Sequence, residues 1–258
     1  MAQTDGTGTL GKAMHVVQVI ADAQTPPRFR DLEQMVEQPK GTLHRQISNL
    51  IEEGLVELRP DQTYGLGMRL MSLASRSWER SKFREVAEPH LHQLHRETGE
   101  TVHLGVLRGI EVFYLDKVES VQSVRMHSQI GHSSPCYCTG VGKAALSVLP
   151  RQTLSPLIDR IAFQRFTDST IISGKALEAE LDEIRQTGIA FDNQEHEAGI
   201  HCIAAPIFNS DRSLVAGISI TAPVFRVAPS KLTQWSELIA ASADAIVDDI
   251  KIRMGPKP

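Results

Sequence analysis

The sequence predicts an α+β protein of two parts: a small N-terminal unit of helices and a hairpin, and a larger domain built around one sheet. Two observations lead to this prediction. Apolar residues recur at helical spacing up to about residue 54, and two short strand patterns around a Pro-Asp turn follow them. Beyond residue 83, strand patterns stand at both ends of the segment with helical patterns between them, which is typical of an α+β domain.

The N-terminal unit is predicted to contain three helices and a hairpin. The first helix carries an apolar stripe and stops at Pro26-Pro27, the second spans residues 30–36, and the third ends at Gly54. Two short strands around the Pro-Asp turn form the hairpin. Helices and hairpin in this order, within about 66 residues, indicate a winged helix-turn-helix. We therefore assign residues 1–66 to a DNA-binding domain.

The rest of the chain divides into a connector and a larger domain. A helical pattern at residues 67–82, rich in arginine, predicts a connector helix. The larger domain, residues 83–258, begins with a helix. Strands are predicted at 101–107, 112–118, 124–128, 189–191, 201–208 and 214–221. Further helices are predicted at 140–149, around 152–162, around 177–184 and at 229–254.

Composition and charge are ordinary for a globular protein. The 258 residues are 41% hydrophobic, and no apolar run is long enough to predict a transmembrane helix. The formal net charge is −4, which does not favour nucleic-acid binding, so the position of each charge matters more than the total. Three cysteines, an odd number, and a start without a secretory pattern predict a cytoplasmic protein that does not act at a membrane.

Three blocks of sequence carry a resemblance to a known family. They read GTLHR at 41–45 with EGLV at 53–56 and YGLG at 64–67; YCTGVGKA at 137–144; and FDNQEHEAGIHCIAAPI at 191–207 with ISIT at 218–221. Through these blocks, in this order, the chain resembles the IclR family of bacterial transcription regulators over nearly its whole length. The run YLDKVE at 114–119 and the second block are most similar to members tied to sugar-acid breakdown.

The resemblance implies a winged helix-turn-helix, a connector helix and a C-terminal GAF-like α/β domain that binds an effector. It also implies a homodimer or homotetramer on double-stranded operator DNA. Family members regulate operons for the catabolism of carbon compounds, so we expect a ligand-responsive regulator, and more specifically a repressor. The expected effector is a small organic acid such as a sugar acid. We expect no enzymatic activity, no cofactor and no metal.

The residues predicted to contact DNA lie on the third helix and in the wing. The face of this helix away from its buried stripe carries polar side chains near the N-terminus, the part that enters the major groove. Arginine can bind guanine with two hydrogen bonds, and Thr and His can contact bases or phosphates. The predicted contacts are Lys40, Thr42, His44, Arg45, Arg59 and Thr63. Without the resemblance, this pattern would indicate an ordinary solvated helix face.

The predicted effector site combines a helix N-terminus with polar residues of a nearby strand. The helix that begins at Gly140 offers unpaired backbone N–H groups and a dipole that favours an anion, and Val141 is its second residue. Ser219 and Thr221 are two positions apart and therefore face the same side of a strand.

The resemblance adds further residues to this pocket. It implies that Asp192 and Cys202 form part of the wall, and it assigns Cys138 of the second block to the same pocket. Met126 is expected to supply an apolar wall that sets ligand size. Taken alone, Cys202 would be interpreted as a small buried hydrophobic residue, which is the commoner role of a free cysteine.

Two other classes of function remain open. A thiol- or metal-dependent enzyme acting on a small carboxylate could use Asp192, Glu195, His196, His201 and Cys202. A metal could also be held by His127, His132, Cys136 and Cys138, although Cys-x-Cys is not a usual zinc spacing. Neither HExxH nor GxSxG occurs, and adjacent residues of a strand face opposite sides. A pure sensor or oligomerisation module is the third interpretation, and the predicted N-terminal helices and hairpin argue against it.

Overall fold

The computed structural model describes residues 8–122 and 128–254. The chain divides into two compact units, Met1–Ser81 and Lys82–Pro258. Within the two described stretches, no helix is both long enough and apolar enough to cross a membrane.

The N-terminal unit consists of helices and a two-stranded hairpin. In chain order its elements are α1 (Gly8–Asp22), α2 (Phe29–Met35), α3 (Lys40–Glu52), β1 (Val56–Leu58), β2 (Tyr64–Leu66) and α4 (Met68–Glu79). The strands β1 and β2 pair antiparallel, with Glu57 opposite Gly65. Val16, Leu32 and Leu43, all fully buried, join α1, α2 and α3 in one core. The predicted winged helix-turn-helix is confirmed.

The C-terminal unit is built around one antiparallel sheet. Its elements are α5 (Lys82–Thr98), β3 (Thr101–Arg108), β4 (Glu111–Val118), β5 (Ser133–Pro135), α6 (Gly140–Ser147), α7 (Arg151–Ile158), α8 (Gly174–Thr187), β6 (Ala190–Asn193), β7 (Ile200–Phe208), β8 (Val215–Pro223), α9 (Pro229–Gln234) and α10 (Ser236–Met254). The strands of the described residues follow the order β5-β4-β3-β8-β7-β6. The predicted C-terminal α/β domain is confirmed.

The two faces of this sheet pack against different helices, because side chains alternate along each strand. On one face, Leu104, Ile203 and Ile218 pack with α5 and α10 in the larger core. On the other face, Ala204 joins a second core with α6, α7 and α8. Strand residues that point to this second side but lie beyond the α6 helix are free to form a cavity.

Two elements differ from the sequence-based prediction. A loop is predicted for residues 129–139, but Ser133–Pro135 pairs with β4 as an edge strand. Three residues with two serines show no alternating apolar pattern, so periodicity does not reveal this strand. The single helix predicted at 229–254 is interrupted at Trp235, which leaves the helical conformation and buries its ring in the larger core. The strand predicted at 124–128 lies outside the described residues except for its last residue.

Candidate DNA interface and effector cavity

The first half of α3 presents a polar surface opposite its buried face. Leu43, Ile47 and Leu50 anchor the helix in the core, because spacings of three and four place them on one face. The predicted DNA contacts of this helix are accessible to different degrees. Thr42 is half-buried, and the exposed ones are Lys40, His44 and Arg45. Lys40 forms an ion pair with Glu33 at 3.3 Å, with 76% of the lysine side chain exposed. An exposed pair of this kind holds its lysine weakly.

Gln46 of α3 is a polar residue inside the same core. It is only 5% exposed, and neither its amide oxygen nor its amide nitrogen has a hydrogen-bond partner. A buried polar group without a partner lowers stability by about 1–3 kcal/mol. Gln46 therefore faces the protein interior and weakens the unit that presents the DNA-contacting surface.

The hairpin turn holds its two predicted DNA contacts differently. The Arg59 side chain is 42% exposed and donates to Glu57 at 3.3 Å. Thr63 is buried; its hydroxyl donates to Asp61 at 2.7 Å, and its backbone N–H donates to the same carboxylate at 3.2 Å. These bonds also hold the pKa of Asp61 below its ordinary value. The Thr63 side chain closes the turn, which differs from the sequence-based prediction, and we leave it out of the interface proposed below.

A cavity on the α6 side of the sheet is lined by residues that lie opposite one another on neighbouring strands. Asp192 on β6 pairs with Cys202 on β7, and Cys202 pairs with Thr221 on β8. Two residues before Thr221, and on the same face of β8, Ser219 pairs with His103 on β3. All five line a single cavity of about 170 Å³. The structure thus brings four of the predicted effector residues together and adds a histidine.

The first turn of α6 lies against this part of the sheet. Gly140 and Val141 both line the cavity. A β-carbon at Gly105 would lie 2.6 Å from a methyl group of Val141, and one at Gly217 would lie 2.9 Å from the Val141 carbonyl oxygen. Glycine at these two strand positions allows the helix to approach closely. The N-terminal end of the helix, whose first backbone N–H groups have no partner within the helix, therefore lies at the cavity wall.

A buried lysine connects α6 to the turn after β6. Lys143 is fully buried, and its ammonium donates to Glu195 at 2.5 Å and to Glu180 of α8 at 2.8 Å. Burial disfavours the charge, but the two carboxylates raise the pKa of Lys143 above its ordinary value. The backbone N–H of Glu195 in turn donates to Asp192 at 2.7 Å. Lys143 therefore fixes the turn that carries Asp192.

Burial also sets the protonation of the cavity groups. It raises the pKa of Asp192 to about 7, although backbone N–H groups of the following turn oppose the rise. It raises the pKa of the Cys202 thiol far above its ordinary value, and it raises the pKa of Cys136, which lies in the second core and not at the cavity, to about 12. At neutral pH these two thiols are protonated, while Asp192 exists in both forms.

His103 is one of the cavity residues that the sequence analysis missed. Its Nε2 lies 2.6 Å from the hydroxyl oxygen of Ser128, and its Nδ1 lies 3.2 Å from that of Thr221 and 3.5 Å from that of Ser219. The ring packs against Tyr114, with centroids 5.3 Å apart. The position of His103 in its strand could have revealed it. His103 lies between Val102 and Leu104, and a residue between two core residues faces the opposite side of a strand.

One predicted effector residue does not line the cavity, and another lies outside the described residues. Cys138 is fully buried in the second core and does not line the cavity, because its side chain packs with the apolar residues around α6 and α8. This corrects the prediction that Cys138 contacts the effector. Met126 lies outside the described residues. In the described part of the chain, no group of three or more His, Cys, Asp or Glu side chains is arranged to hold a metal ion.

A winged helix-turn-helix in the same chain as a domain with a polar cavity defines a ligand-responsive, DNA-binding transcription regulator. Comparison with known proteins identifies its family. Residues 9–60 match the IclR helix-turn-helix domain, and residues 76–248 match the bacterial transcriptional regulator IclR C-terminal domain. The chain belongs to the IclR family, whose members are regulators of catabolic operons and are not, as a class, enzymes.

Individual relatives resemble the chain over most of its length. The HTH-type transcriptional regulator KdgR of Escherichia coli strain K12 is 29% identical over 245 residues, which cover 95% of this chain and 93% of KdgR. The transcriptional repressor IclR of the same organism is 27% identical over 241 residues, which cover 92% and 88% of the two chains. The crystal structure of Thermotoga maritima IclR has a TM-score of 0.76 at 30% identity, covering 96% of this chain and 99% of that one.

Proposed function

We propose that this chain represses a catabolic operon and responds to a small organic acid bound in the cavity beside α6. One observation carries the proposal: Asp192, Cys202, Ser219 and Thr221 line the same cavity as the first turn of α6. Unpaired N–H groups and the helix dipole favour an anion at that turn. The similarity to a relative named as a repressor supports the direction of regulation.

The cavity lining favours an acid that carries hydroxyl groups. In addition to Ser219 and Thr221, the hydroxyl-bearing residues that line it are Ser128, Ser133, Ser134 and Thr139. Hydroxyl groups both donate and accept hydrogen bonds, so they match a polyol better than an alkyl chain. An enclosed cavity of about 150 Å³ holds a molecule the size of benzene, and this cavity of about 170 Å³ is partly open. A sugar acid fits both the size and the polarity.

We propose that α3 enters the major groove of operator DNA with Lys40, Thr42, His44 and Arg45, and that Arg59 of the wing contacts the backbone. Arg45 is the strongest candidate for a base contact, because it is exposed and arginine can bind guanine with two hydrogen bonds. A regulator of a bacterial operon meets its DNA in the cytoplasm, and we propose that this chain works there.

We propose further that the chain acts as a homodimer or homotetramer. Residues 1–66 carry six Lys/Arg and nine Asp/Glu, so one copy gains little from phosphate attraction, whereas linked copies bind two half-sites together. The connector helix α4 has no buried residue, and Met68 and Met71 are 71% and 68% exposed. These methionines offer a second copy an apolar surface. Replacing both with glutamate should shift the mass measured by light scattering towards the monomer.

The regulation requires a ligand that binds one conformation of the C-terminal domain better than another. Such a ligand shifts the equilibrium only by its difference in affinity for the two conformations. We propose that α4 transmits the shift to the paired α3 helices, whose separation must match the operator half-sites. Repression would end when the acid favours a separation that does not match.

We propose that the cavity binds its acid without transforming it. Thiol nucleophiles need a thiolate, and a raised pKa keeps Cys202 protonated at neutral pH. The alternative of a thiol- or metal-dependent enzyme would require product to form when the protein is incubated with the acid that it binds.

The test uses the full chain and an operator duplex selected by the protein from random sequences. A thermal-shift screen against sugar acids and small keto acids identifies the acid that raises the melting temperature. We expect that acid to release the labelled duplex in a fluorescence-anisotropy titration and to be recovered unchanged. Conversion of the acid to product, or an acid that binds without any effect on DNA affinity, would contradict the proposal.

A further inference from the structure

The imidazole of His103 is the centre of a hydroxyl cluster in the cavity. Burial and the charge of Lys117 lower the pKa of His103 to about 3, so at neutral pH one ring nitrogen donates a hydrogen bond and the other accepts one. His103 itself is only 3% exposed. The hydroxyl groups of Ser128, Ser219 and Thr221 surround it and also line the cavity.

Each of these hydroxyl groups can make more hydrogen bonds than its contact with His103 uses. A hydroxyl group donates one hydrogen bond and accepts two. The cluster can therefore present donors or acceptors to a ligand, depending on how its hydroxyl groups rotate. A ligand hydroxyl matches either arrangement, a carboxylate only accepts, and an alkyl chain leaves the remaining donors and acceptors of the cluster unpaired.

The cluster lies at a distance from the proposed carboxylate position. Gly140 contacts Cys202 on β7, whereas His103 is on β3, and β8 lies between these two strands. Two strand spacings amount to about 10 Å. An acid whose carboxylate lies at Gly140, over β7, must extend across β8 to reach His103. A short acid such as glycerate offers the cluster fewer hydroxyl partners than a longer polyhydroxylated acid.

We propose that His103 is a specificity-determining residue of the effector cavity. It orients the hydroxyl groups of Ser128, Ser219 and Thr221, which bind the distal hydroxyl groups of an extended polyhydroxylated acid. It discriminates against acids of the same length without hydroxyl groups, because these would leave buried polar groups unpaired. This inference rests on the proposed function, since it requires that an organic acid occupies the cavity.

Isothermal titration calorimetry on the full chain tests the assignment with two matched pairs of acids. The pairs are D-gluconate with hexanoate, and D-glycerate with propionate. The wild-type chain should bind gluconate at least about tenfold more tightly than hexanoate or glycerate. His103→Phe keeps a ring without nitrogen atoms and should weaken gluconate binding at least about tenfold, while hexanoate binding stays the same. His103→Gln keeps a donor and an acceptor and should retain most of the gluconate affinity.

The melting temperature and operator affinity of each variant report whether it is folded. Should His103→Phe not fold, Ser128→Ala removes the partner of Nε2 and should weaken gluconate binding without affecting hexanoate. A folded His103→Phe with wild-type gluconate affinity, or a wild-type chain that prefers hexanoate, overturns the role of His103 and leaves the organic-acid sensor intact. A wild-type chain that binds none of the four acids also overturns this inference. Failure of the wider acid screen described above would then overturn the proposed function too.

Discussion

Gly140 and Cys202 are in such close contact that a β-carbon at position 140 would lie 2.5 Å from the cysteine sulfur. This contact holds the first turn of α6 against β7. The position of the proposed carboxylate site therefore depends on the absence of a side chain at residue 140.

Gly140→Ala should displace the first turn of α6 and damage both stability and acid binding. Overpacking of this kind destabilises a protein by about 1–3 kcal/mol, and we expect acid affinity to fall at least about tenfold, since the N–H groups move away from the cavity. Urea unfolding and calorimetry measure the two effects. In the double variant Gly140→Ala/Cys202→Ala the smaller side chain makes room, so stability should partly recover. If the double variant instead lost as much stability as the two single variants added together, the contact between Gly140 and Cys202 would be contradicted.

Lys143→Met should destabilise the protein strongly, although methionine fills nearly the same volume. Removal of one partner from a buried ion pair leaves an uncompensated charge and costs about 3–5 kcal/mol; here Glu195 would lose its partner at 2.5 Å. Urea unfolding measures the loss. Lys251→Met is the matched control, because that lysine is 56% exposed in its pair with Asp248 and should leave the unfolding midpoint unchanged. Equal effects of the two substitutions would refute the structural role of Lys143.

Acid affinity should decrease as the pH rises through 7. The pKa of Asp192 is raised by burial to about 7, so the carboxyl is mostly neutral below this pH and negative above it. A negative Asp192 repels an organic anion bound nearby, whereas the anion itself stays ionised from pH 6 to 8. The dissociation constant should rise towards about tenfold per pH unit above the pKa.

Calorimetry at several pH values measures this dependence, and Asp192→Asn identifies its source. Lys143, Glu195 and His196 also lie near the carboxyl, and they remain in the variant. We expect the asparagine variant to bind the acid with nearly constant affinity between pH 6 and 8. A dependence that survives in this variant would assign the titration to another group.

Gln46→Leu should stabilise the winged helix-turn-helix without changing DNA affinity. The buried amide has no partner, and its replacement by an apolar side chain should raise the free energy of unfolding by about 1–3 kcal/mol. The exposed Gln18, which donates to Asp22 at 2.8 Å, supplies the control: Gln18→Leu should not stabilise. Loss of operator binding in Gln46→Leu would mean that the amide faces DNA and not the core.

Arg45→Ala should weaken operator binding and leave the organic-acid site unaffected. The loss of an arginine contact to a base typically reduces affinity by about 1–3 kcal/mol. Fluorescence anisotropy on the selected operator measures this change, and calorimetry with the acid shows whether the C-terminal domain is intact. Arg151, with a side chain 83% exposed in the C-terminal unit, provides a control of equal charge. Arg151→Ala should bind DNA like the wild type.

The sequence predicted the architecture because hydrophobic periodicity and turn residues were consistent with each other over long segments. Leu43, Ile47 and Leu50 mark the buried face of α3, and the strands that form the floor of the cavity were all recognised within a few residues of their ends. The short strand Ser133–Pro135 was missed because it is defined by pairing with β4. The sequence of a short segment does not show which strand it pairs with.

Side-chain partners were the other information that the sequence could not supply. Thr63 has a hydroxyl group that could contact DNA, yet this hydroxyl donates to Asp61 within the turn. Cys138 lies two residues before α6 begins, but its side chain joins the core. His103 gained its importance only through register, since it lies opposite Ser219 on a strand more than a hundred residues later.

The central claim is that the acid and the operator are coupled through one protein, and reciprocity tests it most directly. The dissociation constant of the labelled operator is measured with and without saturating acid, and that of the acid is measured with and without saturating operator. Linkage requires both constants to change by the same factor, typically about 5- to 150-fold for a coupled pair of sites. We predict weaker binding in each case, by one common factor. If neither dissociation constant changed when the other ligand was present, the proposed coupling would be contradicted.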